Sequence, residues 1–185
     1  MELETKRLIL RDWKDKDVID LVEGLNDLEV TKWMAVIPYP YTRKDAEEWI
    51  KHCKETTKKG KKRDSYEFAI ELKTERKAIG GISLIEIDYD KGISGSGGIW
   101  LNAKYYGHGY GTEAWNERAR FAFEDLGLKK LENGFFEGND ASKKMQLKLG
   151  YRLLGLETGG KLCVADGEIK DHRLTVLYRK EWKRD

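Results

Sequence analysis

Residues 99 to 113 read IWLNAKYYGHGYGTE, and no other segment of the chain constrains its architecture as tightly. Ile99, Trp100 and Leu101 form a short apolar run of strand type. Glycines then alternate at Gly107, Gly109 and Gly111, and from Thr112 the spacing of Trp115, Ala119, Ala122, Phe123 and Leu126 is helical, with Gly127 as a left-handed stop. Alternating glycines let a backbone pass close to a bulky anion, with successive N–H groups turned inward and the helix dipole behind them. Strand, glycine turn and helix start together predict a cradle for a pyrophosphate. No lysine precedes Thr112, which excludes a Walker loop, and a meander rather than a first strand precedes the glycines, which excludes a dinucleotide fold.

Working outward, Tyr66, Phe68, Ile70 and Leu72 alternate as a strand, Ala78 to Ile87 reads as its neighbour, and the glycine-rich Gly92 to Gly98 leads into the strand at Ile99. Upstream, Leu8 and Leu10 mark a first strand. Asp15 or Asp17 is positioned to cap a helix carrying Val18, Val22 and Leu25, and Thr42-x-x-Asp45 resembles a capping box before Ala46, Trp49, Ile50 and Cys53. Downstream, Leu131 to Phe136 reads as a strand. Asn139 or Asp140 caps a short helix with Met145 and Leu149 inward and Gly150 as its stop, and strands follow at Tyr151 to Leu156 and His172 to Tyr178. The predicted order is β α α β β β α β α β β, in one domain spanning 1–185.

Charged residues are 37% of the chain, yet the formal net charge is +2, so no global field for a polyanion follows. Lys58, Lys59, Lys61, Lys62 and Arg63 around Gly60 read as a solvated connection, although contact with a nucleic acid, an acidic peptide or a cofactor phosphate is open to them. Cys53 and Cys163 have no CxxC and no histidine at zinc-ligand spacing, so plain thiols and no metal are expected. The start lacks a long apolar core, and nowhere do 18 apolar residues run together; a soluble, cytoplasmic protein without membrane or nucleic-acid partners is expected.

Against the signature Gln/Arg-x-x-Gly-x-Gly/Ala, Tyr106 stands at the first position and Gly109 and Gly111 at the glycines. The chain therefore resembles the GCN5-related N-acetyltransferases (GNAT). The aromatic at Tyr106 is similar to the RimJ/RimL branch, which acetylates the N-termini of ribosomal proteins. Asn139-Asp140-Ala141-Ser142 and Lys148-Leu149-Gly150-Tyr151 resemble that branch's N-x-x-S and K-L-G-F/Y segments. The opening Glu4 to Arg11 and the closing Tyr151 to Gly155, Asp166-Gly167, Asp171 and Tyr178 follow it too, so the resemblance covers nearly the whole chain.

The resemblance implies an α/β (α+β) GNAT fold: a central mixed, mostly antiparallel sheet of about seven strands with helices on both faces, split between the fourth and fifth strands. It implies acetyl-CoA as cosubstrate, no metal, and direct acetyl transfer to an amine in a ternary complex. Leu101, Asn102, Tyr106, Gly107, His108, Gly109, Tyr110, Gly111, Thr112, Asn139 and Ser142 are the implied cofactor contacts, the backbone at Leu101 serving the acetyl carbonyl. Asn139 reads equally as a helix cap, and Leu101 as core. Ser142 is the implied donor toward the departing sulfur, because the position often held by tyrosine is Gln146. No carboxylate stands in Ser94 to Gly98, which leaves Glu86 and Asp88 as candidate bases beside a reading as solvated strand ends. Trp33, Met34, Ile37 and Tyr39, with Pro38, Trp49 and the loop from Glu157 to Asp166, border the implied acceptor site or simply pack the helical layer. The acceptor expected first is a protein N-terminal amine. A polyamine or aminoglycoside, or a non-catalytic acetyl-CoA-binding module, is the alternative, in a monomer or homodimer.

Overall fold

The computed structural model describes residues 1–60 and 63–183; Lys61 and Lys62 of the basic run lie outside the described residues. In chain order the elements are β1 (Glu2–Glu4), β2 (Leu8–Arg11), α1 (Val18–Leu25), α2 (Leu28–Thr31), α3 (Arg43–Thr57), β3 (Tyr66–Leu72), β4 (Lys77–Asp88), β5 (Ile93–Ser96) and β6 (Ile99–Leu101). They continue with α4 (Tyr110–Arg120), β7 (Lys130–Phe136), α5 (Asp140–Lys148), β8 (Arg152–Leu162) and β9 (Ile169–Tyr178). A π-helical turn at Phe121–Asp125 prolongs α4.

The strands form one mixed sheet in the order β1-β2-β3-β4-β5-β7-β9-β8, with β6 also on β4. Only β5 and β7 run parallel among the described pairs. Strand alternation sends Leu8, Leu10, Phe68, Ile70, Ile82 and Leu84 to one face, where Trp115, Ala119 and Phe123 cover them. Ala69 and Ala78 turn to the other face, beneath Leu21 and Leu25 of α1 and Ala46, Ile50 and Cys53 of α3. Helices on both faces, as expected, leave the central strands dry on both sides.

Nine strands replace the expected seven among the described residues, for two reasons. Glu2–Glu4 pairs back on β2 as an extra edge strand. The glycine-rich stretch, read as a lead-in, is itself strand β5, and it keeps the register of β6: Ile85 pairs with Ser96 and Ile82 with Ile99. Between them the ladder is interrupted by a buried side chain from the helix layer. Arg118 of α4, 0% exposed, donates from Nε to the Ser83 carbonyl at 2.7 Å. The Gly98 amide goes to Ser83 Oγ instead, at 3.1 Å. Gly97 makes room for the guanidinium, since a Cβ there would stand 2.2 Å from Arg118 Nη2.

Two local expectations are corrected. Asp17 makes no side-chain cap on α1, because its carboxylate takes both terminal nitrogens of buried Arg11, at 2.7 and 2.9 Å. A buried guanidinium is the stronger partner for a carboxylate than a helix amide. The segment from Glu157, expected as a loop, stays in strand β8 through Leu162, paired with β9. By contrast, the Thr42–Asp45 capping box on α3 forms as read.

Candidate active site

β5 and β7 are joined by only two residue pairs, Ile93 with Lys130 and Ser94 with Leu131. Beyond them β6 follows β4, whereas β7 follows β9 to Phe136, so the sheet opens into a wedge. A cleft of about 1440 Å³ runs through it, with Gly97 to Leu101 on one wall and Glu132 to Phe136 on the other. Asn102 donates to the Ile79 carbonyl and Gly98 accepts from Ser83, each at 2.9 Å, toward β4. Strand alternation therefore turns the amides of Ile99 and Leu101 the other way, into the wedge. These are donors fit for a carbonyl oxygen.

At one end of the cleft lies the glycine turn. Gly109 caps α4 at φ 78°, a left-handed conformation that only glycine adopts cheaply. Glu113 is the first residue there to spend its amide, on the Gly109 carbonyl at 3.1 Å. Among the described residues, the amides of 107 to 112 meet no acceptor. Tyr106, Gly107, Gly109, Tyr110, Gly111 and Thr112 line the cleft. A row of unspent amides at a helix start suits a diphosphate, so these residues fit coenzyme A.

The turn is fastened by residues to which the sequence assigned no part in it. Arg7 donates from Nη1 to the His108 carbonyl at 2.8 Å and from Nε to Glu113 Oε2 at 2.6 Å, and its guanidinium lies 4.5 Å from the centre of the Tyr110 ring. Glu113 also accepts from Thr5 Oγ1 and the Arg7 amide. Burial works against that carboxylate, but its hydrogen bonds win and hold its pKa below the ordinary range. His108 lies off the cleft lining, its ring stacked on Tyr110. Asn102 is also off it, its Oδ1 accepting from the Lys104 amide at 3.1 Å.

On the opposite wall, Asn139 caps α5 by accepting the Ser142 amide at 3.0 Å, and both residues line the cleft. Thus the cap reading of Asn139 holds without removing it from the cleft. Gln146, expected only as a missing tyrosine, is 1% exposed; its Nε2 donates to Ser142 Oγ at 3.0 Å, and its Oε1 accepts from Thr175 Oγ1 of β9 at 2.6 Å.

The two carboxylates named as bases part company. Glu86, at φ 56° near the end of β4, lines the cleft, and its Oε2 lies 2.8 Å from where a Gly95 Cβ would stand. It fills the space that a side chain at Gly95 of β5 would take. Asp88 lies off the lining and accepts from the Lys91 amide and ammonium, which hold its pKa low. Two further groups on the wall escaped sequence reading. Glu67 of β3 is 9% exposed, its Oε2 has no donor, and burial pushes its pKa up. His172 of β9 is held below the ordinary histidine pKa by burial, against the pull of Glu157 at 3.4 Å. Periodicity finds neither, because each depends on which strand lies beside the wedge.

Trp33, Met34, Ile37, Pro38 and Trp49 line the cleft; Tyr39 does not, and Tyr41, 4% exposed, lines it instead. The tip of the β8–β9 hairpin holds this loop. Cys163 Sγ lies 3.5 Å from the Lys32 carbonyl, and Lys170 Nζ donates to the same oxygen at 2.9 Å. Both cysteines are free and buried, and burial keeps the Cys53 thiol protonated.

The acetyltransferase (GNAT) domain family matches residues 7–152. The N-acetyltransferase p20 of Bacillus licheniformis is 27% identical over 180 residues, 97% of each chain. Two solved structures share the fold. RimL, a ribosomal L7/L12 α-N-protein acetyltransferase in complex with coenzyme A, has a TM-score of 0.83 at 13% identity, over 96% of this chain and 98% of that one. The spermidine N-acetyltransferase of Vibrio cholerae, in complex with CoA and spermine, has a TM-score of 0.78 at 18% identity, over 96% and 98%.

Proposed function

The chain belongs to the acetyltransferase (GNAT) family and is an acetyl-CoA-dependent N-acetyltransferase, and from that premise we propose that its acceptor is the N-terminal α-amine of a protein. The reaction is R–NH3⁺ + CH3CO–S–CoA → R–NH–CO–CH3 + CoA–SH + H⁺. The observation that carries acetyl transfer is the wedge, whose inward amides at Ile99 and Leu101 share one cleft with the unspent amides of the glycine turn and with Asn139 and Ser142. Bound acetyl-CoA supplies the acetyl group as a thioester, whose C–S bond breaks as the C–N bond forms.

Each residue then has a task set by its position. Residues 107 to 112 hold the diphosphate through main-chain donors, and Asn139 offers its side-chain amide to the pantetheine arm. The Leu101 and Ile99 amides face the carbonyl oxygen, Ser142 faces the sulfur, and Glu86 receives the proton that the ammonium sheds. Glu86 is favoured over Asp88 because it lines the cleft, with no lysine bonded to its carboxylate among the described residues. The protein-terminus reading draws support from Tyr106, the Asn139-x-x-Ser142 start and the aromatic lining of Trp33, Tyr41 and Trp49.

A second reading, a small polyamine acceptor, has its own support. Glu29, Asp45, Glu48, Glu67, Glu86, Glu132 and Glu157 line the cleft, and Lys161 is the lone lysine or arginine among its described lining residues. Such a wall attracts cations. Thiol release from acetyl-CoA is to be measured over peptides with free α-amines, spermidine and aminoglycosides. The first reading expects the highest kcat/KM with a peptide, abolished by blocking its α-amine. A preference for spermidine moves the assignment to the second, and turnover with no amine leaves only binding.

A further inference from the structure

We propose that Gln146 and Thr175 are positioning residues that reserve the Ser142 hydroxyl proton for the sulfur of coenzyme A; this rests on the reading of Ser142 as donor. Gln146 is 1% exposed, as is Thr175, and neither reaches the bulk solvent for a partner. The distances fix how the Gln146 amide is turned. Thr175 Oγ1 stands 2.6 Å from one end of that amide, a separation typical of O–H···O and short for N–H···O. Ser142 Oγ stands 3.0 Å from the other end, which is typical of N–H···O. The carbonyl therefore accepts from Thr175, and the NH2 donates to Ser142.

Direction follows from that order. Had the amide been reversed, Ser142 would spend its hydrogen on Gln146. As it stands, Ser142 Oγ is an acceptor on its α5 side, and its own hydrogen is left for the cleft that it lines. The Asn139 side-chain Oδ1 holds the Ser142 amide, so the backbone beneath the hydroxyl is fixed as well. Glutamine at this place on α5 thus substitutes for a direct proton donor by aiming a neighbouring one. The step asked of Ser142 is a hydrogen bond: as the C–S bond breaks and its electron pair moves to sulfur, the hydroxyl hydrogen faces that charge without leaving oxygen, and the second proton that the nitrogen sheds on becoming an amide completes the thiol.

The test reads the thiol of bound coenzyme A as well as turnover. Ultraviolet titration of the thiolate in the wild-type complex is expected to give a pKa below that of free coenzyme A. Gln146→Leu is expected to raise it by about one pH unit, the scale of one hydrogen bond to a charged group. It should also lower kcat about tenfold, with KM for acetyl-CoA unchanged. In a Ser142→Ala background the same substitution is expected to change neither quantity, since the group being aimed is gone. Thr175→Val should reproduce the Gln146→Leu effect, and Thr175→Ser should restore wild-type values. That pair carries the test should Gln146→Leu fail to fold. Equal losses in both backgrounds, or an unmoved thiol titration in Gln146→Leu, overturn the relay while leaving Ser142 as donor. A wild-type titration and kcat in Ser142→Ala remove the donor reading itself, and the relay with it.

Discussion

Glu67 is a carboxylate folded into the cleft wall without a donor for Oε2. Burial raises its pKa, against the pull of His52, Ser65 and Arg63. A folded-state pKa above the unfolded one means that folding takes up a proton. Its stability is then fully present below the ordinary carboxylate pKa, about 4.3, and declines as pH climbs from there to the raised folded value. Glu67→Gln is therefore expected to stabilise the protein at pH 7 and to make little difference at pH 4, as measured by urea unfolding at both. Equal stability of the two proteins at pH 7 would remove the desolvation argument. Cys53 shows the inert counterpart: its thiol is pushed up by burial and stays protonated, so no thiolate chemistry is expected there.

At the scale of elements, two contacts hold the site, and each is open to a single substitution. Gly97 lets Arg118 reach the Ser83 carbonyl, and a methyl group there would meet the guanidinium at 2.2 Å and the Ser83 oxygen at 2.4 Å. Gly97→Ala should cost about 1–3 kcal/mol in denaturant unfolding, as overpacking does. It should weaken acetyl-CoA binding too, because the interruption between β5 and β6 shapes the wedge. Arg7 ties β2 to the glycine turn through the His108 carbonyl and Glu113. Arg7→Ala is expected to raise the Kd for acetyl-CoA about tenfold, the worth of one charge-assisted bond, with KM for the amine unaffected. An unchanged Kd by calorimetry would make the Arg7 staple irrelevant to the cradle.

On the scale of the whole molecule, the sheet consists of two parts, β1 to β6 and β7 to β9, whose backbones pair at only two residue pairs. A ligand lying in the wedge touches both parts. Acetyl-CoA at about 100 times its Kd should add about 2.7 kcal/mol to stability. Hydrogen exchange should slow at residues 107 to 112 and along β7, on opposite sides of the wedge. Protection confined to one side would mean that the ligand sits elsewhere. No helix among the described residues is long and apolar enough to cross a membrane.

The glycine turn, the α3 capping box, the α5 start at Asn139 and the strand–helix order were legible because each rests on neighbours in sequence: φ > 0 at a glycine, a side chain reaching its own helix start, a period of two or 3.6. Those local rules determined the elements and the family resemblance. The tertiary structure alone decided that Glu86 and not Asp88 lines the cleft, that Asp17 bonds Arg11 rather than capping α1, that Arg7 fastens the glycine turn, that Glu67, His172 and Thr175 line the cleft, and what the Gln146 side chain bonds. Each of these depends on a partner distant in sequence or on which strands diverge, and hydrogen bonding and burial across such separations leave no period for a sequence to display.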